Sequence, residues 1–168
     1  HLTHDITPYN TFEASYRLFQ TVEYWPEGTT FVSVVDPGVG SSRKSVVALT
    51  KTGQYIVTPD NGTLSYIKKV VGIEVVREIS EVENRRSNTE LSYTFHGRDV
   101  YAYTGAKLAS GHISFEEVGP ELPVDKILEL PVVETIIEDN LVRGAIDILD
   151  VRFGSLWTSI TRDDFYAL

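Results

Sequence analysis

The run Val34-Val35-Asp36-Pro37-Gly38-Val39-Gly40 constrains this chain more than any other stretch, because it stops an apolar strand at a carboxylate. Pro37 fixes φ and removes a backbone donor, while Gly38 and Gly40 admit conformations closed to other residues and let a ligand approach the main chain. Asp36 is thereby held at the carboxyl end of a strand, with a guanidinium following at Arg43. In open α/β sheets that edge is where ligands bind. Residues 34–44 therefore have the layout of an active site.

Around this turn the elements alternate. Residues 11–24 form a helix by pattern, with Phe12, Tyr16, Phe19 and Val22 at spacings of four and three, Asn10 or Thr11 as cap, and Pro26 to Gly28 as the stop. Residues 31–35 are a buried strand; 45–50 and 54–58 are β-rich runs joined at Lys51, Thr52 and Gly53, a hairpin signal. Pro59-Asp60-Asn61-Gly62 leads into a short helix with Leu64, Ile67, Val70 and Val71, and 74–79 is a further strand. A polar loop over 81–90 carries Arg85 and Arg86, and His96-Gly97-Arg98-Asp99 opens a helix that runs through Ser110 and ends at Gly111.

The alternation predicts an α/β fold, a three-layer sandwich with a largely parallel sheet over residues 1–130. The texture then changes. Residues 122–131 contain two prolines and read as a linker, and 132–160 are nearly all strand-like, with turns at Asp139-Asn140 and Phe153-Gly154. Residues 131–168 are thus expected to begin a smaller all-β, barrel-like domain. His1 to Thr3 reads as the end of a strand, and with no methionine anywhere His1 is no initiator. The expectation is a processed form or a piece of something longer, lacking the first strand and helix of its first domain.

Fifteen basic against 24 acidic residues give a formal charge of −9. Such a field repels polyphosphate and argues against nucleic acid as a partner, while a cationic small ligand is permitted. No run approaches the ~18 apolar residues of a membrane span, so no membrane partner is expected. Absence of cysteine excludes disulfides and thiolate metal sites.

Each candidate residue also has a purely structural reading. Asp36 can cap a turn, the Asn61-Gly62 pair is a favoured turn, Arg43 can be a surface charge, His96 a buried structural histidine, and Asp99 a first-turn residue favoured by the helix dipole. His112 reads as a solvated loop residue and Trp157 as core. Their joint occurrence carries the functional weight.

Together these segments resemble the S-adenosylmethionine (SAM) hydrolases that form adenosine, also called SAM hydroxide adenosyltransferases, relatives of the SAM-dependent fluorinases and chlorinases. The resemblance rests on DITPYN from Asp5, WPEG from Trp25, VVDPGVGSSRK from Val34, PDNG from Pro59, TFHGRDVYA from Thr94, EVGPEL from Glu117 and DVRFGSLWTSI from Asp150, and covers essentially the whole chain. It implies hydrolysis of SAM to adenosine and methionine, with Asp36, Arg43 and His96 as the triad that orients and activates water. It also implies substrate contacts at Tyr9, Asn10, Phe95 and Gly97 in the first domain, and at Asp150, Ser155 and Trp157 in the second, where many relatives have Asn in place of Ser155. It implies no cofactor and no metal, a cytoplasmic location, and a homotrimer whose site lies between the first domain of one subunit and the second of its neighbour.

Three alternatives compete with this reading. A SAM halogenase needs a dry halide pocket, against which the Asp36 carboxylate speaks; halogenating relatives carry an uncharged residue there and an insertion between Arg43 and PDNG. A non-catalytic adenosine- or SAM-binding module has no need of Asp36, Arg43 and His96 together. A metal hydrolase built on His4, Asp5, His96 and Asp99 lacks HxH or HExxH spacing.

Overall fold

A computed structural model describes residues 1–167, which divide into two compact units, His1–Glu129 and a second that begins at Leu130. The first is built on a five-stranded sheet of order β1-β3-β2-β4-β5. Its strands are β1 (Thr30–Val32), β2 (Ser45–Thr50), β3 (Tyr55–Pro59), β4 (Ile73–Glu78) and β5 (Glu121–Leu122). Only β1 and β3 run parallel; β3–β2, β2–β4 and β4–β5 are antiparallel. This corrects the expected largely parallel sheet. A parallel neighbour needs a crossover of a dozen or more residues, whereas β2 and β3 are joined by the tight turn at Lys51 to Gly53, which forces antiparallel pairing. Gly53 turns at φ +86, and its N–H donates to the Thr50 carbonyl at 3.0 Å.

Side chains that alternate along the strands feed two apolar clusters. Val46, Ala48 and Ile56 pack with Phe31 and with Leu18 and Val22 of helix α1 (Thr11–Val22), together with Ile67 and Val71 of the π-helical turn Ile67–Val71. Their neighbours Val47 and Val57 belong to the second cluster, with Val100, Tyr101, Phe115 and Val118. Each such side chain, fully covered, contributes about 1.5–3 kcal/mol relative to exposure.

The α1 helix begins where Asn10 caps it, its side chain accepting from the Glu13 N–H at 3.0 Å. The expected helix after His96 starts as a π-helical segment, Gly97–Ala102, and continues as α3 (Tyr103–Ala109); Gly111 follows at φ +70. A Cβ on Gly105 would stand 2.6 Å from Val32 Cγ2, so this glycine lets α3 lie close on β1. Within the polar loop, Glu81–Asn84 form a single helical turn, α2. His1 to Thr3, read as a strand end, has no strand structure.

The second unit consists of two antiparallel hairpins, β6 (Ile136–Glu138) with β7 (Leu141–Arg143) and β8 (Ile146–Asp150) with β9 (Ser155–Thr158), then α4 (Arg162–Tyr166). The described residues close no barrel, because the two hairpins form separate two-stranded sheets. Asn140, at φ +63, turns the first hairpin; in the second the Asp150 carboxylate accepts from Arg152 N at 3.1 Å.

Candidate active site

The strand that becomes β1 continues beyond its last ladder pair: Ser33 N–H donates to the Val57 carbonyl at 3.0 Å, and the Asn61 amide then donates to the Val35 carbonyl at 2.8 Å. Asn61 Oδ1 accepts from the Thr63 hydroxyl at 2.7 Å, so the PDNG turn is itself braced while it holds the strand exit. Asp36 emerges from this clamp. Across the glycine turn Arg43 folds back onto it, Nε donating to Oδ1 at 2.9 Å and Nη2 to Oδ2 at 2.5 Å. Bidentate pairing of this kind adds geometric definition to the charge attraction. The third guanidinium nitrogen, Nη1, donates to Ser45 Oγ at 3.0 Å, and that hydroxyl bonds the Tyr101 hydroxyl at 3.1 Å. The Tyr101 ring lies 5.5 Å from the guanidinium carbon, within cation–π range. Burial pushes the Tyr101 phenol well above its ordinary range, so it stays protonated.

Asp36 lines a cleft of about 250 Å³ with Val34, Val39, Thr94, Phe95, Gly97 and Arg98. Arg98 lies 5.1 Å from the Phe95 ring centre and donates to Asp99 through Nε (2.6 Å) and Nη2 (2.9 Å). The Arg98 guanidinium holds the Asp99 carboxyl below its ordinary value. Gly97 lies against Val34 in the wall, a Cβ there standing 3.4 Å from Val34 Cγ1. Asp36 in the cleft wall and the buried Asp99 beyond Arg98 are thus each paired with an arginine.

His96 is nearly buried between the two cleft residues Phe95 and Gly97 but contacts a different group of side chains. Its Nε2 is 3.1 Å from Arg85 Nη2 and 3.6 Å from Glu81 Oε1, and Glu81 pairs with the same Arg85 nitrogen at 2.6 Å. The structure therefore brings Asp36 and Arg43 into direct contact and sets His96 in an adjoining Arg85–Glu81 cluster. Sequence reading missed Ser45, Tyr101, Arg85 and Glu81 as site residues. The i,i+4 spacing of Glu81 and Arg85 was the available signal, obscured because the segment read as loop.

Tyr9 is exposed, with backbone at φ +68, and Asn10 is occupied as the α1 cap. In the second unit Asp150 faces Ser155 across the β8–β9 ladder, and Trp157 pairs with Ile148. Among the described residues no group of three or more His, Cys, Asp or Glu is placed to hold a metal ion, so His4, Asp5, His96 and Asp99 do not assemble. No helix of the described chain is long and apolar enough to cross a membrane.

The chain is also similar to known proteins. Residues 1–119 match the SAM hydroxide adenosyltransferase N-terminal domain. The chain belongs to the SAM hydroxide adenosyltransferase family. An (R)-S-adenosyl-L-methionine hydrolase from Methanocaldococcus jannaschii is 36% identical over 163 residues, 97% of this chain and 54% of the relative. A fluorinase from Actinopolyspora mzabensis is 27% identical over 184 residues, 96% of this chain and 60% of the relative. A solved structure of a conserved protein from Thermotoga maritima superposes with a TM-score of 0.91 at 37% identity, covering 99% of this chain and 61% of that one. This family member thus spans little more than half the length of the curated relatives it matches.

Proposed function

We propose that the protein hydrolyses SAM to adenosine and L-methionine. The observation that carries this reading is the Asp36 carboxylate, locked by two hydrogen bonds from Arg43 on the wall of a small cleft. Hydrolase relatives at 36% identity support the same chemistry. Water attacks ribose C5′ while the C5′–S electron pair leaves with the methionine sulfur, which becomes a neutral thioether. The second product is adenosine, and one proton is released. Because the sulfonium is already an activated leaving group, the protein's task is to place a water in line with the C–S bond and take up that proton's charge. In this reading Asp36, Arg43 and His96 do so without a metal or cofactor. Tyr9, Asn10, Phe95 and Gly97 contact the substrate together with Asp150, Ser155 and Trp157 of a neighbouring subunit in a cytoplasmic homotrimer whose first domain is a three-layer sandwich.

Fluorinase relatives make halide the rival nucleophile. A halide entering beside Asp36 would meet like charge and shed its hydration, so water is favoured. The deciding experiment incubates the full-length protein with SAM in oxygen-18 water and concentrated chloride or fluoride, with products read by mass spectrometry. Label in the adenosine 5′-oxygen with no 5′-halo-adenosine is expected; 5′-halo-adenosine as the main product would overturn the reading.

A further inference from the structure

We infer that Arg85 is the positioning residue of His96: by donating to Nε2 it fixes the neutral imidazole with its hydrogen on Nδ1, making His96 a donor and not the base that takes the water's proton. This rests on the hydrolase reading for its place in the reaction, but the tautomer itself follows from hydrogen-bond inventory. A guanidinium carries only donors. With Arg85 Nη2 at 3.1 Å, Nε2 must present its lone pair, and the ring hydrogen is left on Nδ1. The alternative, a hydrogen on Nε2 directed at Glu81, would reach across 3.6 Å and set an N–H against the guanidinium.

Arg85 is well held for this task. Nη2 also donates to Glu81 Oε2 at 2.6 Å, and Nη1 reaches the carbonyls of Thr89 (3.3 Å) and Ser92 (3.2 Å). Its side chain is nearly covered, at 9% exposure, so water competes little for the bond. Nδ1 is buried and has no hydrogen-bond partner among the described residues, an arrangement rare enough in proteins to call for a reason. The residues on either side of His96, Phe95 and Gly97, both form the cleft wall. His96 itself does not line that cleft, so under the hydrolase reading Nδ1–H meets the attacking oxygen only in the substrate-bound site.

The consequence is a division of the proton chemistry. With Nε2 accepting from Arg85 and the ring hydrogen on Nδ1, His96 has no free lone pair with which to take the water's proton. As the water oxygen bonds to C5′ and the C5′–S pair leaves with sulfur, the proton passes to the Asp36 carboxylate or to solvent. Each carboxylate oxygen engaged by Arg43 keeps a further lone pair for this.

The test labels the full-length protein with nitrogen-15 histidine and records long-range proton–nitrogen spectra at neutral pH. The His96 signals are assigned by their loss in His96→Gln. The wild type is expected to show the Nδ1–H tautomer. Arg85→Gln, whose amide can donate or accept, should give a tautomer mixture and a kcat lowered at least about tenfold with KM within about twofold. Arg85→Lys, which keeps a charged donor, should restore the tautomer and part of the rate, a rescue that a merely structural arginine would not produce. Failure of the wild type to form adenosine counts against the hydrolase reading and leaves the tautomer result standing. An Nε2–H imidazole in the wild type, or an unchanged tautomer in Arg85→Gln, overturns the inference.

Discussion

Replacing Arg43 by Met tests whether the Asp36–Arg43 pair organises the cleft. The two side chains are 5% and 11% exposed, so the variant strands a carboxylate that water reaches poorly. Removing one partner of a buried ion pair costs about 3–5 kcal/mol. Because Asp36 forms part of a cleft wall, some hydration is recovered, and about 2–3 kcal/mol is expected here. For a unit of this size that is roughly 8–12 °C in Tm. Asp36→Asn should cost less, about 1–2 kcal/mol, since the guanidinium keeps Ser45 and the Tyr101 ring. In the double variant both charges are gone, so its cost should fall short of the sum by about 1.5–3 kcal/mol. Urea unfolding at pH 7 measures all four proteins, and the SAM assay should find the double variant inactive despite its recovered stability. Single variants within about 0.5 kcal/mol of wild type, or costs that simply add, would refute the reasoning.

Three further outcomes are expected. Asp36→Ala, Arg43→Ala and His96→Ala should each lower kcat more than they raise KM, because they address the water and not the adenosine; unchanged kcat with raised KM in all three would make them binding residues. Gly40→Ala should cost about 1–3 kcal/mol in thermal unfolding, since its backbone sits at φ +77 and the new Cβ would stand 2.8 Å from the Tyr93 carbonyl oxygen; a gain in Tm would contradict this. Burial raises the Asp60 carboxyl above its ordinary value, outweighing the Leu128 N–H, Lys44 and Lys68. A carboxyl raised on folding contributes stability that is present below its unfolded value, near 3.9, and lost as pH rises through the folded one. Asp60→Asn should therefore gain on the wild type as pH climbs from about 3 to 7, and parallel pH–stability curves would refute the assignment.

The chain's alternation of polar and apolar residues disclosed much of this. The strand read over 45–50 is observed as Ser45–Thr50, because a six-residue run without Gly or Pro, carrying Val46, Val47 and Thr50, lies at the centre of the sheet and is covered on both faces. The glycine turn after Asp36 was legible too, whereas the ion pair across it was not, because the sequence left Arg43 open as either a site residue or a surface charge. Strand direction was not legible either. Alternation predicts α/β layering, but the parallel or antiparallel sense depends on connection lengths, and the short Lys51 to Gly53 turn outweighed the general pattern. The apolar run through Val35 overstated β1, whose ladder ends at Val32; beyond it a side-chain amide from Asn61 takes the place of strand hydrogen bonds. The partner of His96 was hidden for a different reason. Arg85 lies eleven residues before it in a stretch rich in charge, where single-residue patterns cannot say which guanidinium turns inward.

One helical segment serves both halves of the site, which explains its unusual winding. His96 stands at the head of the π-helical stretch Gly97–Ala102, and Tyr101, which supports Arg43, stands five residues later. In an α-helix residues five apart point about 140° away from each other. Wider π winding brings them toward one side, and such bulges recur at functional sites. Tyr101 thus supports Arg43 on the same segment that opens at His96, and its two contacts can be separated. Tyr101→Phe keeps the ring under the guanidinium and removes only the Ser45 hydrogen bond, so it should cost about 0.5–1.5 kcal/mol and leave turnover within a few-fold. Tyr101→Leu removes the ring as well, and Arg43 loses the face that orients it against Asp36. Turnover should then fall much further than stability, while the His96 tautomer, set by Arg85, stays unchanged. If Phe and Leu at this position cost the same in kcat, the ring is not what holds Arg43.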